Sequence, residues 1–188
     1  VAKSWLSKFV AGEETPAQRR ASAPIIAADI SDADRDPSLG TVALSTFTRV
    51  VEQEKSHPGG ALLFIDLDAK SALMTPEIAE LHDETLIWLA QAIVQCVRSD
   101  DLVSHVEGYK FAVLLRGAKQ EVAASVAERI LQSVDNTIFL TSDGIAPLGV
   151  DVGGVVFADS DRPADDLVRS AADNLDTARS SDRRIWVD

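Results

Sequence analysis

The 188-residue chain has a single cysteine, Cys96, so no disulfide can close within it. Cys96 falls on the apolar face of an expected helix, which makes it a buried structural thiol, and a lone thiol fits a reducing cytoplasm. Cations are also scarce: 18 Lys and Arg against 30 Asp and Glu leave a net charge of −12. That argues against a nucleic-acid partner, whose affinity comes largely from Lys and Arg on phosphates. It leaves room for a small anionic ligand held by a few local arginines. No apolar run approaches the roughly 20 residues needed to cross a bilayer, so no membrane partner is expected. No secretory pattern opens the chain either, because "VAKSWLSKFV" is short and broken by polar residues.

What is present reads as a soluble globular chain, 46% hydrophobic and 26% charged, long enough for one domain with a full core and a modest extension. Residues 1–40 differ from the rest, and 1–35 read as a connector from an upstream domain in the same chain. "SWLSKFV" has two amphipathic helical turns, "AGEETPAQRRASAP" is linker-like, and "ISDADRDPSLG" is acidic and turn-rich. The domain itself is expected over 36–188. "TVALSTFTRVVEQEK" predicts a helix stopped by "SHPGG". "ALLFIDLD" is a continuous apolar run of strand length ending in acids, which suits a strand buried on both faces. "TPEIAELHDETLIWLAQAIVQCV" predicts a long helix, with Thr75 as N-cap, Pro76 at its first position and Ile78, Leu81, Leu89, Ile93 and Val97 on one face. A hairpin follows in "DLVSHVEGYKFAVLL". Then come a helix carrying Val122, Val126, Ile130 and Val134 at steps of four, a strand "LGVDVGGVVF" bent or bulged by its glycines, a third helix, and a last strand "RRIWV".

Setting the flanking helices aside, the order is β-α-β-β-α-β, an α+β ferredoxin-like arrangement with helices on one side of a mainly antiparallel sheet. The first strand and the hairpin are expected together at the centre, with the acids that end the strand facing the hairpin turn.

Several fragments, in order and in register, resemble the GGDEF domain of diguanylate cyclases, which make cyclic di-GMP from two GTP. "ALLFIDLDAK" is similar to the family's first strand, "EGYKF" stands where the signature would be spelled, "VAERI" resembles the following helix, and "AADNLDTARSSDRR" the closing one. The resemblance implies a nucleotide-cyclase-like palm over about residues 36–188. It also implies a signature of Glu107, Gly108, Tyr109, Lys110 and Phe111. Glu107 replaces the first glycine that lets backbone approach the phosphates, Tyr109 the metal-binding acid, and Lys110 the next acid. Asp66 matches the metal-binding acid of the first strand, Met74 stands at the position of a guanine-binding Asn, and Asp83 matches the second guanine contact. Arg179 and Arg183 fall where the family places basic phosphate contacts. The family's opening motif persists only as "DPSLG".

A site short of one metal carboxylate, with an anion against the triphosphate, should lose several kcal/mol of transition-state stabilisation. No cyclase activity and no bound Mg²⁺ are therefore expected. Asp66 is either a strand-end acid without a ligand or the partner of Lys110, whose ammonium would reach Asp66 or Asp68 and replace the cation by an ion pair. His105 and Tyr109 are taken as structural, and Trp88 and Trp186 as packing residues.

The resemblance implies a second site. Many cyclases of the family carry an inhibitory R-x-x-D motif five residues before the signature, and "RSDD" followed by "LVSHV" puts Arg98 and Asp101 in that register. Guanine offers O6 and N7 to an Arg fork and N1–H and N2–H₂ to a carboxylate. Arg129, in "VAERI", falls where the family places a further arginine. The plainer alternative is an exposed salt bridge at a helix end, worth about 0–1 kcal/mol. Taken together, the residues point to a degenerate cyclase domain that binds cyclic di-GMP at Arg98, Asp101 and Arg129, similar to the PopA-like and PelD-like receptors. It would signal to a protein partner, with a homodimer possible. Two other readings fit: a nucleotide-independent dimerisation or protein-interaction module, and an allosteric GTP-binding pseudo-cyclase.

Overall fold

The computed structural model describes residues 30–56, 59–73, 82–141, 144–158, 162–181 and 183–188. Residues 1–29, Met74, Thr75, Pro76, Ile78 and Leu81 lie outside the described residues. A 3-10 turn (Asp32–Asp34) leads into β1 (Arg35–Asp36), β2 (Thr41–Val42) and α1 (Leu44–Glu54). Next come β3 (Gly60–Leu67), the short α2 (Ala69–Leu73), α3 (His82–Val94), β4 (Leu102–Glu107) and β5 (Lys110–Arg116). The chain continues through α4 (Gln120–Asp135), β6 (Phe139–Thr141), β7 (Gly144–Ala146), β8 (Val150–Phe157), α5 (Ala164–Ser180) and β9 (Ile185–Val187).

Among the described residues, seven strands form one sheet in the order β1-β2-β4-β5-β3-β8-β9, and β6 and β7 pair antiparallel in a separate two-stranded sheet. β3 runs antiparallel to both β5 and β8, so it sits near the centre with the signature hairpin beside it. Alternation in β3 sends Leu63 and Ile65 to one face and Leu62 and Phe64 to the other, and all four are buried. The two helices inside the β-α-β-β-α-β unit, α3 and α4, share one face, where Leu89, Ile93, Val126 and Ile130 pack on Leu63 and Ile65. The flanking α1 and α5 cover the other face through Phe47, Val50, Leu167 and Leu175. Cover on both faces is why "ALLFI" has no polar position.

β8 carries no bulge against β3: it pairs residue by residue from Gly60↔Phe157 to Leu67↔Val150. Its glycines serve close approach instead, because a Cβ on Gly153 would lie 2.0 Å from the backbone nitrogen of Leu175 in α5. The irregularity falls in β4, between His105 and Glu107. Val122 is 41% exposed rather than part of the buried helix face, which Val126, Ile130 and Val134 form. Upstream of residue 36, Ile30 is buried and Arg35 pairs with Val42. The expected thiol is buried, with Cys96 Sγ donating to the carbonyl oxygen of Ala92 at 3.2 Å.

Candidate functional site

The hairpin tip comes first. Gly108 has φ +52°, a left-handed turn position that a side chain would strain. His105 Nε2 lies 2.9 Å from the Gly108 carbonyl oxygen, and its ring packs on Phe111 with centroids 5.4 Å apart, so His105 closes the turn. Tyr109 is buried in the core on the α3–α4 face. Burial pushes its phenol above the ordinary value, and the charge of Asp83 in the first turn of α3 adds to the shift. Asp83 itself is exposed.

The acids at the strand ends face this tip. Lys110 Nζ is 3.6 Å from Asp66 Oδ2, the ion pair that the sequence offers as one of two alternatives for Asp66. A second cation arrives from α5: Arg179 Nη2 pairs with Asp66 Oδ2 at 2.9 Å and donates to the Leu67 carbonyl oxygen at 2.9 Å. Arg179 therefore engages oxygens of the kind a hard divalent cation would take. Arg183 does not join it, lying instead over the Trp186 ring at 5.4 Å. Asp68 accepts from the Ser71 amide at 2.6 Å. Among the described residues, no three His, Cys, Asp or Glu come together in a way that could hold a metal ion.

A buried acid that sequence reasoning missed completes this cluster. Asp151 is directly opposite Asp66 in the β3–β8 register and 4% exposed, with Arg179 Nε 3.8 Å from its Oδ2. The available signal was one acid inside the apolar strand "VDVGGVVF". Burial, then the charges of Asp68 and Asp66, push its carboxyl up from 3.8, while Arg179 and Arg184 oppose the shift. A raised carboxyl binds more protons folded than unfolded, so its contribution is complete below the unfolded value and is lost as pH rises through the folded one. Asp151→Asn should therefore gain stability relative to wild type as pH is raised from about 4 toward neutrality. Thermal melts across that range check this, and a wild-type advantage that grows with pH would contradict it.

The base of the hairpin holds the second site. α3 ends in tight turns, with the Cys96 amide donating to Ile93 and the Val97 amide to Val94. The chain then turns through Arg98–Asp101 into β4. Asp101 builds this turn: Oδ2 accepts from the Arg98 amide at 3.0 Å, and Oδ1 from the Arg116 amide at 3.0 Å. Each oxygen keeps a lone pair for another donor. Arg98 is exposed. From α4, Arg129 donates through Nε (3.1 Å) and Nη2 to the Cys96 carbonyl oxygen, satisfying the helix end. Arg98, Asp101 and Arg129 line one open groove of about 370 Å³, walled by Ala118, Val122 and Val126. The structure thus brings the three residues together.

Behind this groove is a feature with no signal in the sequence. Arg116, at the end of β5, pairs with Glu54, the last residue of α1: Nε to Oε2 is 2.8 Å, and Nη2 contacts Oε1. Burial pushes the Glu54 carboxyl above 4.5, while the Arg116 charge and hydrogen bonds oppose it.

The comparisons agree with this geometry. Residues 42–184 match the family described as "Diguanylate cyclase, GGDEF domain". The probable diguanylate cyclase DgcE of Escherichia coli (strain K12) is 28% identical over 116 residues, 62% of this chain and 10% of that protein. The diguanylate cyclase SiaD of Pseudomonas aeruginosa, solved with its activator SiaC, superposes with a TM-score of 0.72 at 22% identity, covering 82% of this chain and 61% of SiaD. The coiled coil and GGDEF domain of DgcB from Caulobacter crescentus, solved with c-di-GMP, gives 0.71 at 15% identity, covering 84% and 86%. The chain therefore spans a tenth of DgcE and less than two thirds of the SiaD chain. With the family matched over most of its length and the signature hairpin beside the central strand, this chain belongs to the GGDEF domain family.

Proposed function

We propose that this chain is a GGDEF domain without cyclase activity that receives cyclic di-GMP at the Arg98–Asp101 turn. The observation that carries the reading is the convergence of Arg98, Asp101 and Arg129 on one groove. The exposed Arg98 fork suits guanine O6 and N7, and the spare lone pairs of Asp101 suit N1–H and N2–H₂. Val122 and Ala118 give the groove an apolar wall for a base face. At the tip, Arg179 and Lys110 supply cationic charge to Asp66 from within the chain, so the residues there do not fit a divalent cation and no bound metal is required. The DgcB structure with c-di-GMP and the SiaD structure with a protein activator support a ligand and a protein partner for such a domain.

Calorimetric titration of cyclic di-GMP tests the reading. Binding in the micromolar range or tighter is expected, weakened roughly 10- to 100-fold by Arg98→Ala, the worth of one bidentate base contact. No heat up to high micromolar ligand, from protein whose circular dichroism shows an intact fold, sinks it.

A further inference from the structure

The Arg98–Asp101 turn has two sides. Besides the groove of about 370 Å³ there is a second cavity of about 200 Å³, and Arg98 and Asp101 line both. Its far wall carries another arginine, Arg35, together with Gly40, Val42 and Val97. Arg35 belongs to β1 and is exposed.

A short segment fixes that arginine. Arg35 pairs with Val42, and Val42 pairs with Ser104 of β4, so Arg35 is tied to the strand that begins just after Asp101. Asp36 Oδ1 accepts from the amides of Ser38 (2.8 Å) and Leu39 (3.1 Å). The Gly40 amide donates to the Asp36 carbonyl oxygen at 2.8 Å, with Gly40 at φ +70°. Thr46 Oγ1 donates to Asp34 Oδ1 at 3.0 Å, while Leu39 and Val42 are buried. The "DPSLG" remnant is therefore the scaffold that holds Arg35 beside the turn. Across the turn, Arg129 gives two of its five N–H donors to the Cys96 carbonyl oxygen.

We propose that Arg35 is a ligand-binding residue of this site. A cyclic dinucleotide whose guanine is read by Arg98 extends across the turn, and a phosphate of its ring meets the Arg35 guanidinium. The inference rests on the receptor reading above and adds a contact from the other side of the turn. In a chain of net charge −12, a dianionic ligand needs cations gathered locally, and this turn has arginines on both flanks. Binding then ties β1, the first strand after residues 1–29, to the end of α3, so occupancy is communicated to the segment that leads into the domain.

The test is a titration of cyclic di-GMP into wild type, Arg35→Ala, Arg35→Lys and Arg98→Ala, each checked for fold by circular dichroism. Arg35→Ala is expected to weaken binding about 10-fold or more, Arg35→Lys less, as for an arginine that contacts phosphate. Ligand should also slow hydrogen exchange at the β1 amides of wild type. If Arg35→Ala binds within about twofold of wild type while Arg98→Ala loses binding, this inference falls and the receptor reading stands. If wild type binds nothing, both fall.

Discussion

Replacing Glu54 with Ala is expected to cost about 3–5 kcal/mol of stability, because it breaks a largely buried ion pair and removes the carboxylate that faces the Arg116 guanidinium. The side chains of Glu54 and Arg116 are only 2% and 11% exposed. The pair sits at a corner where the Gly59 amide donates to the Glu54 carbonyl oxygen and the Gly117 amide to that of Gly59. A collapse of side chains into the gap would have to move this corner. There, a Cβ on Gly60 would already lie 2.2 Å from the Leu115 carbonyl oxygen. For a domain of this size the loss corresponds to a fall in Tm of roughly 10 °C, readable by calorimetry. The double variant Glu54→Met with Arg116→Leu should recover most of it, because removing both charges removes the desolvation cost that either one alone leaves behind. A single variant that melts within about 2 °C of wild type would show that the pair contributes little. The Arg116 amide also donates to Asp101, so Glu54→Ala should weaken whatever binds at the Arg98–Asp101 turn.

Glu54 and Arg116 show where sequence reasoning reaches its limit. The apolar run in β3, the signature hairpin and the two long helices after it are periodic over many residues, so hydrophobic burial dictates them locally and they are legible. The position of Asp66 near Lys110 follows from that topology, whereas the grouping of Arg98, Asp101 and Arg129 is implied by the resemblance to the family and not by any periodicity. What does not follow is pairing between residues far apart in the chain. Nothing within "VVEQEK" or "LLRGAK" marks Glu54 and Arg116 as partners across the sheet, and each alone looks like a solvated helix or strand end. The Arg179 contact with Asp66 is hidden for the same reason: its register depends on how far α5 slides along β8, which the close approach at Gly153 sets. Strands β1 and β2 are two residues long, too short for any periodicity to declare them. They are nonetheless the elements that bring Arg35 to the turn.

Incubated with GTP and Mg²⁺, the chain is expected to form no cyclic di-GMP. The chemistry asks for two things at the hairpin tip: oxygens free to hold a cation, and a backbone edge a triphosphate can approach. The first is compromised because Asp66 Oδ2 faces Arg179 and Lys110, while the Leu67 carbonyl oxygen accepts from Arg179. Tyr109, at the position of the second metal acid, is buried in the core, and turning it outward would forfeit about 1.5–3 kcal/mol of burial and leave a hole. The second requirement fails at Glu107, whose charge opposes an incoming phosphate. Loss of one preorganised electrostatic contact typically costs 10²–10³ in rate, and two acting together place turnover below detection. If the tip takes no ion, millimolar Mg²⁺ leaves Tm unchanged, since only binding to the folded state stabilises it. The decisive measurement is nucleotide chromatography after prolonged incubation with GTP. Product above the blank that disappears in Asp66→Ala would mean that Arg179 and Lys110 yield to the metal, and that the ion pairs at the tip are a resting state rather than a replacement for the cation.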